Sequence, residues 1–313
     1  MIGLINFSDC ELSNRNLQYG GRAGEKRGVI YKNEFWFLKF PKNTIGMRKV
    51  DGLSYVTSPI SEYIGSHIYK ILGYDVHDTL LGICYDGKKN KVVCACKDFI
   101  NDDNNELLIP YTSLRNDTNP MIMEIRDSNI SSASNINEIV FQLSHNTVLS
   151  KIEGAAERFW DVVLIDVLIN NNDRNEDNWG VIKYKIDNTY RMAPIYDCGN
   201  SFYGKTSEER IVSILEDEDK LYSSAINGIT AYEDDDEKRI SAINILGLIH
   251  QKNPETIKKV YDNFIKNYER IENFIISIPN VFEEVFIISN NRKEYYLKTL
   301  KIRLEYIKNK YLK

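Results

Sequence analysis

The sequence predicts an α+β fold of two lobes, a small antiparallel β lobe with one helix followed by a larger, mainly helical lobe. Three observations lead there. Short apolar runs separated by turn residues fill most of the first hundred positions. The segment from 101 to 135 is rich in Asn, Asp and Ser and reads as a loop-dominated connection. From 136 onward apolar residues recur mostly at helical spacing. The junction falls near Lys97–Asn101, giving a small lobe over 1–98 and a large lobe over 99–313. A cleft between two such lobes is where small-molecule sites tend to form.

In chain order, strands are expected at Gly3–Phe7, Gly28–Tyr31, Glu34–Phe40, Thr79–Tyr85 and Lys91–Cys96, with Lys32-Asn33 and Asp86-Gly87 as hairpin turns. One helix interrupts them. Ser58 and Pro59 supply its cap and first position, Ile60, Ile64, Ile68 and Ile71 recur at helical spacing, and Gly73 stops the run. In the second half the spacing predicts helices over Ile136–Lys151, Ala155–Asn170, Glu237–His250, Pro254–Ile278, Val281–Ile288 and Asn291–Lys310. Residues 178–203 are the non-helical exception, with two short strand-like pieces around a turn at Ile186–Thr189. The acidic runs 216–219 and 234–237 read as solvated loops or helix starts.

Composition excludes several classes of function. The chain has 313 residues, 42% hydrophobic and 27% charged, which suits a folded protein with a sizeable core and argues against disorder over most of its length. Net charge is 40 − 45 = −5, with no long Lys/Arg block, so direct nucleic-acid binding lacks its electrostatic footprint. No apolar stretch approaches the roughly 20 residues that span a bilayer, and the N-terminus lacks a basic start and a long apolar region. The expected location is cytoplasmic, without a membrane partner. The five cysteines are scattered and odd in number, which argues against a disulfide framework; Cys94 and Cys96 share one face of a strand and read as core thiols ahead of a metal pair. The four histidines adjoin no hydrolase motif, and none is assigned a catalytic role.

The chemistry-bearing residues come in a fixed order. In EFWFLKFP, alternation groups Phe35, Phe37 and Lys39 on one side, and a lysine on an aromatic face needs an anion. Glu62, on the following helix, lies one turn before Gly65, Ser66 and Tyr69, on a face of small residues able to approach the sheet; a strand lysine paired with a helix glutamate is how kinases aim an amine at phosphate oxygens. NNNDRNEDNWG then places Asp173 and Asn178 at D-x-x-x-x-N spacing, the Asp to orient an acceptor hydroxyl and the Asn to hold a metal. Asp197 follows an apolar strand and precedes Gly199, a D-x-G setting that suits a carboxylate bridging Mg²⁺ to phosphates. Each motif alone is weak. The ordered set of five points to an ATP- and Mg²⁺-dependent phosphotransferase of protein-kinase-like fold. The glycines Gly20, Gly21, Gly24 and Gly28, with Arg22, Lys26 and Arg27, lie just ahead of the lysine strand, where close-approaching backbone would cover phosphates.

With these residues in hand the sequence resembles the HipA-like Ser/Thr protein kinases, most closely their compact, cell-translocating CtkA type. The matching pieces are YGGRAG, FLKFP, SEYIGSHIYKILG, VVCACKDF, FWDVVLIDVLINNNDRNEDNWG and APIYDCG. The resemblance implies Ser/Thr protein kinase activity with ATP and Mg²⁺, including autophosphorylation, on an unidentified protein substrate. It implies that Lys39 contacts the ATP phosphates, Glu62 braces it, Asp173 is the catalytic base, Asn178 and Asp197 ligate Mg²⁺, and the backbone at Cys96, Lys97 and Asp98 holds adenine. An antitoxin-like partner, a toxin or effector role, and export without a classical signal peptide all stay open.

Two departures stand out. Only about eighteen residues precede the Gly-rich stretch, whereas longer HipA toxins carry a β subdomain there. From Asn14 to Val29 there is no Ser or Thr, so the autophosphorylation switch of such toxins is absent or moved to Thr44, Ser54, Thr57 or Ser58. Two alternatives remain: a small-molecule phosphotransferase of the aminoglycoside- or choline-kinase kind, and a toxin-antitoxin component acting mainly by partner binding.

Overall fold

The computed structural model describes residues 3–17, 26–44, 56–100, 105–116 and 134–312. Its N-terminal half is built on six strands: β1 (Ile5–Asn6), β2 (Glu11–Leu12), β3 (Lys26–Tyr31), β4 (Glu34–Lys39), β5 (Thr79–Tyr85) and β6 (Asn90–Lys97). They lie in the order β1-β5-β6-β4-β3-β2, with β1 parallel to β5 and the other neighbours antiparallel. The β3–β4 hairpin turns on Lys32 and Asn33, both at positive φ (51° and 62°), the backbone that a two-residue turn of matching twist requires.

Alternation sorts β4 as expected. Trp36, Leu38 and Phe40 are buried on the outer face with Phe7, Val29, Cys84, Val93 and Ala95. Phe37 turns the other way, and with Cys94 and Cys96 it packs toward helix α1 (Ser58–Ile71). Both cysteines are fully buried and all five are free, so the core reading of that pair holds. Pro59 sits in the first turn of α1, where a missing N–H costs no helical bond, and Gly73 at φ 87° ends the run. Burying Ile64 and Ile68, both inaccessible to water, contributes about 1.5–3 kcal/mol each.

The second half begins with β7 (Glu106–Pro110) and α2 (Tyr111–Asn116), and resumes with β8 (Ser134–Asn135), α3 (Ile136–His145) and α4 (Ala155–Leu168). Then come β9 (Gly180–Tyr184), β10 (Tyr190–Met192), α5 (Glu208–Leu215), α6 (Glu218–Ile226), β11 (Ile229–Glu233) and β12 (Arg239–Ser241). The chain closes with α7 (Ala242–Lys252), α8 (Pro254–Ser277), β13 (Val281–Phe282), β14 (Val285–Phe286) and α9 (Asn290–Tyr311). From Phe159 through Leu168 every residue of α4 is buried, as befits a central helix. The halves share one hydrophobic cluster. Asn263 Nδ2 of α8 donates to Leu72 O at the end of α1 (2.8 Å), and Phe274 of α8 stacks on His67 of α1 with ring centroids 4.9 Å apart.

Four expectations about local structure are corrected. Val281–Ile288 is not a helix but the β13–β14 hairpin, turning on Glu283 and Glu284 at positive φ (44° and 65°). Neither glutamate is a turn signal, and the hairpin rests on tertiary contacts such as Asn6 Nδ2 to Glu283 Oε2 (2.6 Å). The connection 101–135 is not all loop, because the apolar ELLIP forms β7 against β9 and α2 follows it. The helix expected from Glu237 starts at Ala242, after β12 has paired with β11 and with Ser241 Oγ accepting from Asn244 N (3.2 Å). Helix α5 lies where none was expected, with a side-chain cap from Ser207, whereas α6 starts within the acidic run 216–219, read as a loop or a helix start, and is capped by Asp217.

The close approach of α1 is to the D-x-G segment and not only to the sheet. A Cβ added at Gly65 would lie 2.7 Å from Cys198 Cβ and 2.9 Å from Ser201 Oγ. Gly65→Val should therefore cost about 1–3 kcal/mol by overpacking. Differential scanning fluorimetry would show this as a drop of roughly 2–4 °C per kcal/mol, and an unchanged melting temperature would contradict the packing.

Candidate active site

Strand β4, helix α1 and the segment after β10 bring three charges to one point. Lys39 Nζ lies 2.7 Å from Glu62 Oε2 and 2.8 Å from Asp197 Oδ1. The Glu62 side chain is fully buried, that of Lys39 is 15% exposed, and that of Asp197 is 38% exposed, so the triad runs from the core out to the cleft. Burial drives the Lys39 ammonium down, but the charges of Asp197 and Glu62 outweigh it and hold its pKa well above 10.5. Burial likewise raises the Glu62 carboxyl, and the Lys39 charge with a hydrogen bond from His77 overcomes this, leaving its pKa far below 4.5. Asp197 has φ 58°, a left-handed backbone that aspartate tolerates better than most residues. A Cβ at Gly199 would stand 3.1 Å from Glu62 Oε2, tight enough that the carboxylate would have to give by a few tenths of an ångström.

The loop after α4 carries Asp173 and Asn178. Asn178 Nδ2 donates to Asp173 O (2.6 Å), and Asn175 Nδ2 to Asp173 Oδ1 (3.3 Å). Partial desolvation, with the charge of Asp197 added, raises the Asp173 pKa above 3.8. Beneath the loop lies a buried ion pair with no signal in the D-x-x-x-x-N spacing. Arg174 Nε donates to Asp166 Oδ2 (2.8 Å) and Nη2 to Asp166 Oδ1 (3.2 Å), with the two side chains 2% and 4% exposed. Arg174 Nη1 also donates to Asn178 O (3.1 Å) and to Tyr196 O. Tyr69 OH of α1 and Asn171 Nδ2 complete the Asp166 shell, each at 2.9 Å from Oδ1. One guanidinium thus joins α4, the Asp173 loop and the residue before Asp197. The available clue was an aspartate inside the apolar run WDVVLIDVL, since a charge buried on a helix needs a partner.

Other predicted residues are arranged less simply. Gly20, Gly21, Gly24 and Arg22 lie outside the described residues, as does Ser54. Gly28 is in β3, and Arg27 is directed to the opposite face, where Nη1 donates to Tyr85 O (3.1 Å) and the guanidinium lies over Phe40. Lys26 stands opposite Lys39 in register, and burial with the Lys39 charge lowers its pKa. Cys96 Sγ lies within 4.8 Å of ligand atoms of Glu62 and His77, on the inner face behind Lys39. The N–H of Lys97 donates to Asp78 O and that of Asp98 to Phe35 O, both at 2.9 Å. These donors are engaged, and the next N–H along, that of Phe99, has no partner among the described residues. His77, which sequence reasoning passed over, is part of the triad's surroundings through its bond to Glu62.

This architecture can be set beside known proteins. No family model matches the chain. It is 29% identical over 293 residues, 93% of its length and 82% of the relative's, to the Serine/threonine-protein kinase CtkA of Helicobacter pylori strain J99. Its structure superposes on the crystal structure of the H. pylori proinflammatory kinase CtkA with a TM-score of 0.79 and 27% identity, covering 99% of this chain and 95% of that one. The chain is a protein kinase, similar in sequence and in fold to CtkA. A broader likeness is to HipA of Shewanella oneidensis MR-1, from a complex with HipB and operator DNA, at a TM-score of 0.53 and 15% identity, covering 94% of this chain and 67% of that one. That likeness is one of fold, and it carries no partner over. In this kinase no helix among the described residues is long and apolar enough to cross a membrane.

Two measurements test the site's construction. Because Glu62 has a depressed folded pKa, its stabilisation is complete above about pH 4.5 and is lost as pH falls below that value. Urea unfolding of wild type should weaken with acid in this range more steeply than that of Glu62→Gln; parallel curves would refute the linkage. Arg174→Met should cost about 3–5 kcal/mol by stranding the buried Asp166 carboxylate, and Asp166→Asn in the same chain should recover part of the loss.

Proposed function

We propose that this kinase transfers the γ-phosphate of ATP, with Mg²⁺, to serine or threonine hydroxyls of protein substrates, and that it also phosphorylates itself. The carrying observation is the meeting of Lys39 with Glu62 and Asp197 at 2.7 and 2.8 Å. Scattered carboxylates kept for solubility would not bury a lysine between a strand, a helix and a strand-end turn, because desolvating those charges is costly unless they are paired. Residues 1–98 would form the lobe that covers the nucleotide, and 99–313 the lobe that carries the acceptor side.

In this reading Lys39 holds the phosphates, with Glu62 keeping the ammonium pointed into the cleft. Asp173 orients the acceptor hydroxyl and takes its proton. A raised pKa makes it a better base than an ordinary aspartate. The donors suit Mg²⁺, which prefers hard oxygen ligands. Asn178 directs its amide nitrogen to Asp173 O, which leaves Oδ1 without a protein partner among the described residues, and Asp197 likewise has Oδ2 unengaged. Asn178 and Asp197 would hold the ion, whose charge offsets that of the phosphate oxygens. For adenine, the bonds already made by Lys97 and Asp98 favour the Phe99 N–H as donor, with Cys96 lining the inner wall. Gly20, Gly21 and Gly24 would cover the phosphates.

The small-molecule alternative loses its sequence support. The acidic runs serve local structure: Asp217 caps α6 through Lys220 N (3.0 Å), Asp234 accepts from Asp236 N and Lys238 N (3.0 Å each), and Asp235 accepts from Asn135 and Asn137.

Incubation with radiolabelled ATP and Mg²⁺ should label the protein or a generic Ser/Thr acceptor. Asp173→Ala should lower kcat by about 10²–10⁴-fold, and Asp197→Ala should abolish Mg²⁺-dependent labelling; equal labelling in either variant would refute the assignment. Because Asp173 must be deprotonated to act, kcat should fall as pH drops, along a limb lying above pH 3.8.

A further inference from the structure

Lys39 has two carboxylate partners, and a single residue, His77, is bonded to the supports of both. Its main-chain N–H donates to Ile195 O (3.0 Å), Ile195 N donates to Asp75 O (2.9 Å), and Val76 bridges Ile195 in parallel. These bonds fix the strand that leads into Asp197 two residues on. Its imidazole, with no exposed side-chain surface, places Nε2 3.0 Å from Glu62 Oε1 and 3.2 Å from Ser66 Oγ.

The proton on that ring can be assigned from chemistry. Ionised Glu62 offers only acceptors, and Lys39 occupies Oε2, so Oε1, on a fully buried side chain, needs a second donor. A ring protonated at Nδ1 would set the Nε2 lone pair against Oε1 at 3.0 Å and would bury an N–H with no acceptor among the described residues, where Nδ1 has no partner. Protonation at Nε2 removes both faults, leaves Nδ1 as an unpaired acceptor, and lets Ser66 rotate its hydroxyl elsewhere.

We propose that His77 is a positioning residue for the phosphate-binding lysine, an imidazole whose Nε2–H holds Glu62 Oε1 so that Oε2 keeps Lys39 aimed into the cleft. The proposal rests on the reading of Lys39 as a phosphate ligand. Without the imidazole donor Glu62 would have one oxygen buried and unpaired, and the carboxylate would turn to share Lys39 between both oxygens, drawing the amine back from phosphate. His77 touches no reacting atom in this arrangement. Its effect passes through Glu62.

The test combines kinetics with spectroscopy on the full chain. In ¹⁵N-histidine-labelled protein, the His77 ring should show a proton on Nε2; a ring protonated at Nδ1 alone would overturn the proposal. His77→Leu should lower kcat/KM for ATP by about 10–100-fold, the range seen when a supporting hydrogen bond is removed behind a ligand-holding side chain. The KM for ATP should rise, while circular dichroism stays that of wild type. His77→Gln, whose amide N–H can reach the same oxygen, should recover most of the loss. Wild-type kcat/KM in a folded His77→Leu protein would overturn the proposal, as would Gln failing equally. If the Leu variant does not fold, the tautomer and the Gln variant decide. Absence of phosphate transfer by wild type would instead refute the functional reading, and the tautomer would still decide the Glu62 bond.

Discussion

The arrangement depends on keeping one ammonium between two carboxylates, of which Glu62 is sealed from water and Asp197 faces the cleft. A buried Glu62 without Lys39 would be driven to take up a proton, and a buried Lys39 without its carboxylates would be driven to lose one. The fold meets this demand by bringing three elements close. Gly65 lets α1 settle on Cys198 and Ser201, Gly199 leaves room for the Glu62 carboxylate, and Asp197 accepts a left-handed backbone that turns its side chain toward Lys39. Small residues at these contacts are thus a condition of the electrostatics, because a charge pair stretched by even an ångström in a dry site loses much of what offsets its desolvation.

The same logic extends inward by one further layer. Arg174 and Asp166 are buried and paired as Lys39 and Glu62 are, but they face away from the cleft and join pieces of backbone: the Asp173 loop, the Tyr196 carbonyl and the middle of α4. Charge-assisted bonds of this kind hold main chain to a fixed place more firmly than packing alone. The catalytic-loop aspartate and the D-x-G aspartate are therefore registered against each other by a residue adjacent to the first and bonded to the carbonyl just before the second.

How much of this was legible in the sequence follows from the range over which each signal acts. Lys39 could be placed on the inner face because strand alternation is local, and Asp173, Asn178 and Asp197 could be picked out because loop spacing and a strand-end glycine are local too. The partnerships were another matter. Nothing near Asp166 or Arg174 names the other, and His77 sits in YDVHDT with no motif around it; each acquires its role from a chain crossing that composition does not encode. The β13–β14 hairpin failed for a related reason, since two glutamates at positive φ carry no turn signature and the strands are held by what they pack on. Apolar ELLIP, by contrast, was readable as a strand and was lost within a segment judged by its polar neighbours.

The C-terminal helices, the stretch with least motif content, prove to brace the site from behind. Arg303 of α9, 4% exposed, donates from Nε to Ala225 O (2.8 Å) and from Nη1 to Leu168 O (3.0 Å), carbonyls in the last turns of α6 and α4, where a cation also complements the helix dipole. Its remaining nitrogen donates to Tyr203 OH, four residues after Gly199. Arg292 grips the same segment a little further on, through Thr206 O (2.6 Å) and Glu208 Oε1 (2.6 Å). On the other side α8 holds the end of α1 through Asn263 and the stacked pair Phe274–His67. Displacing α1 from Lys39 would thus mean opening a core cluster that spans both halves, and displacing the segment after Gly199 would strand two buried guanidinium groups. Both motions are opposed by terms of several kcal/mol, so the charge triad is an assembled feature of the folded chain.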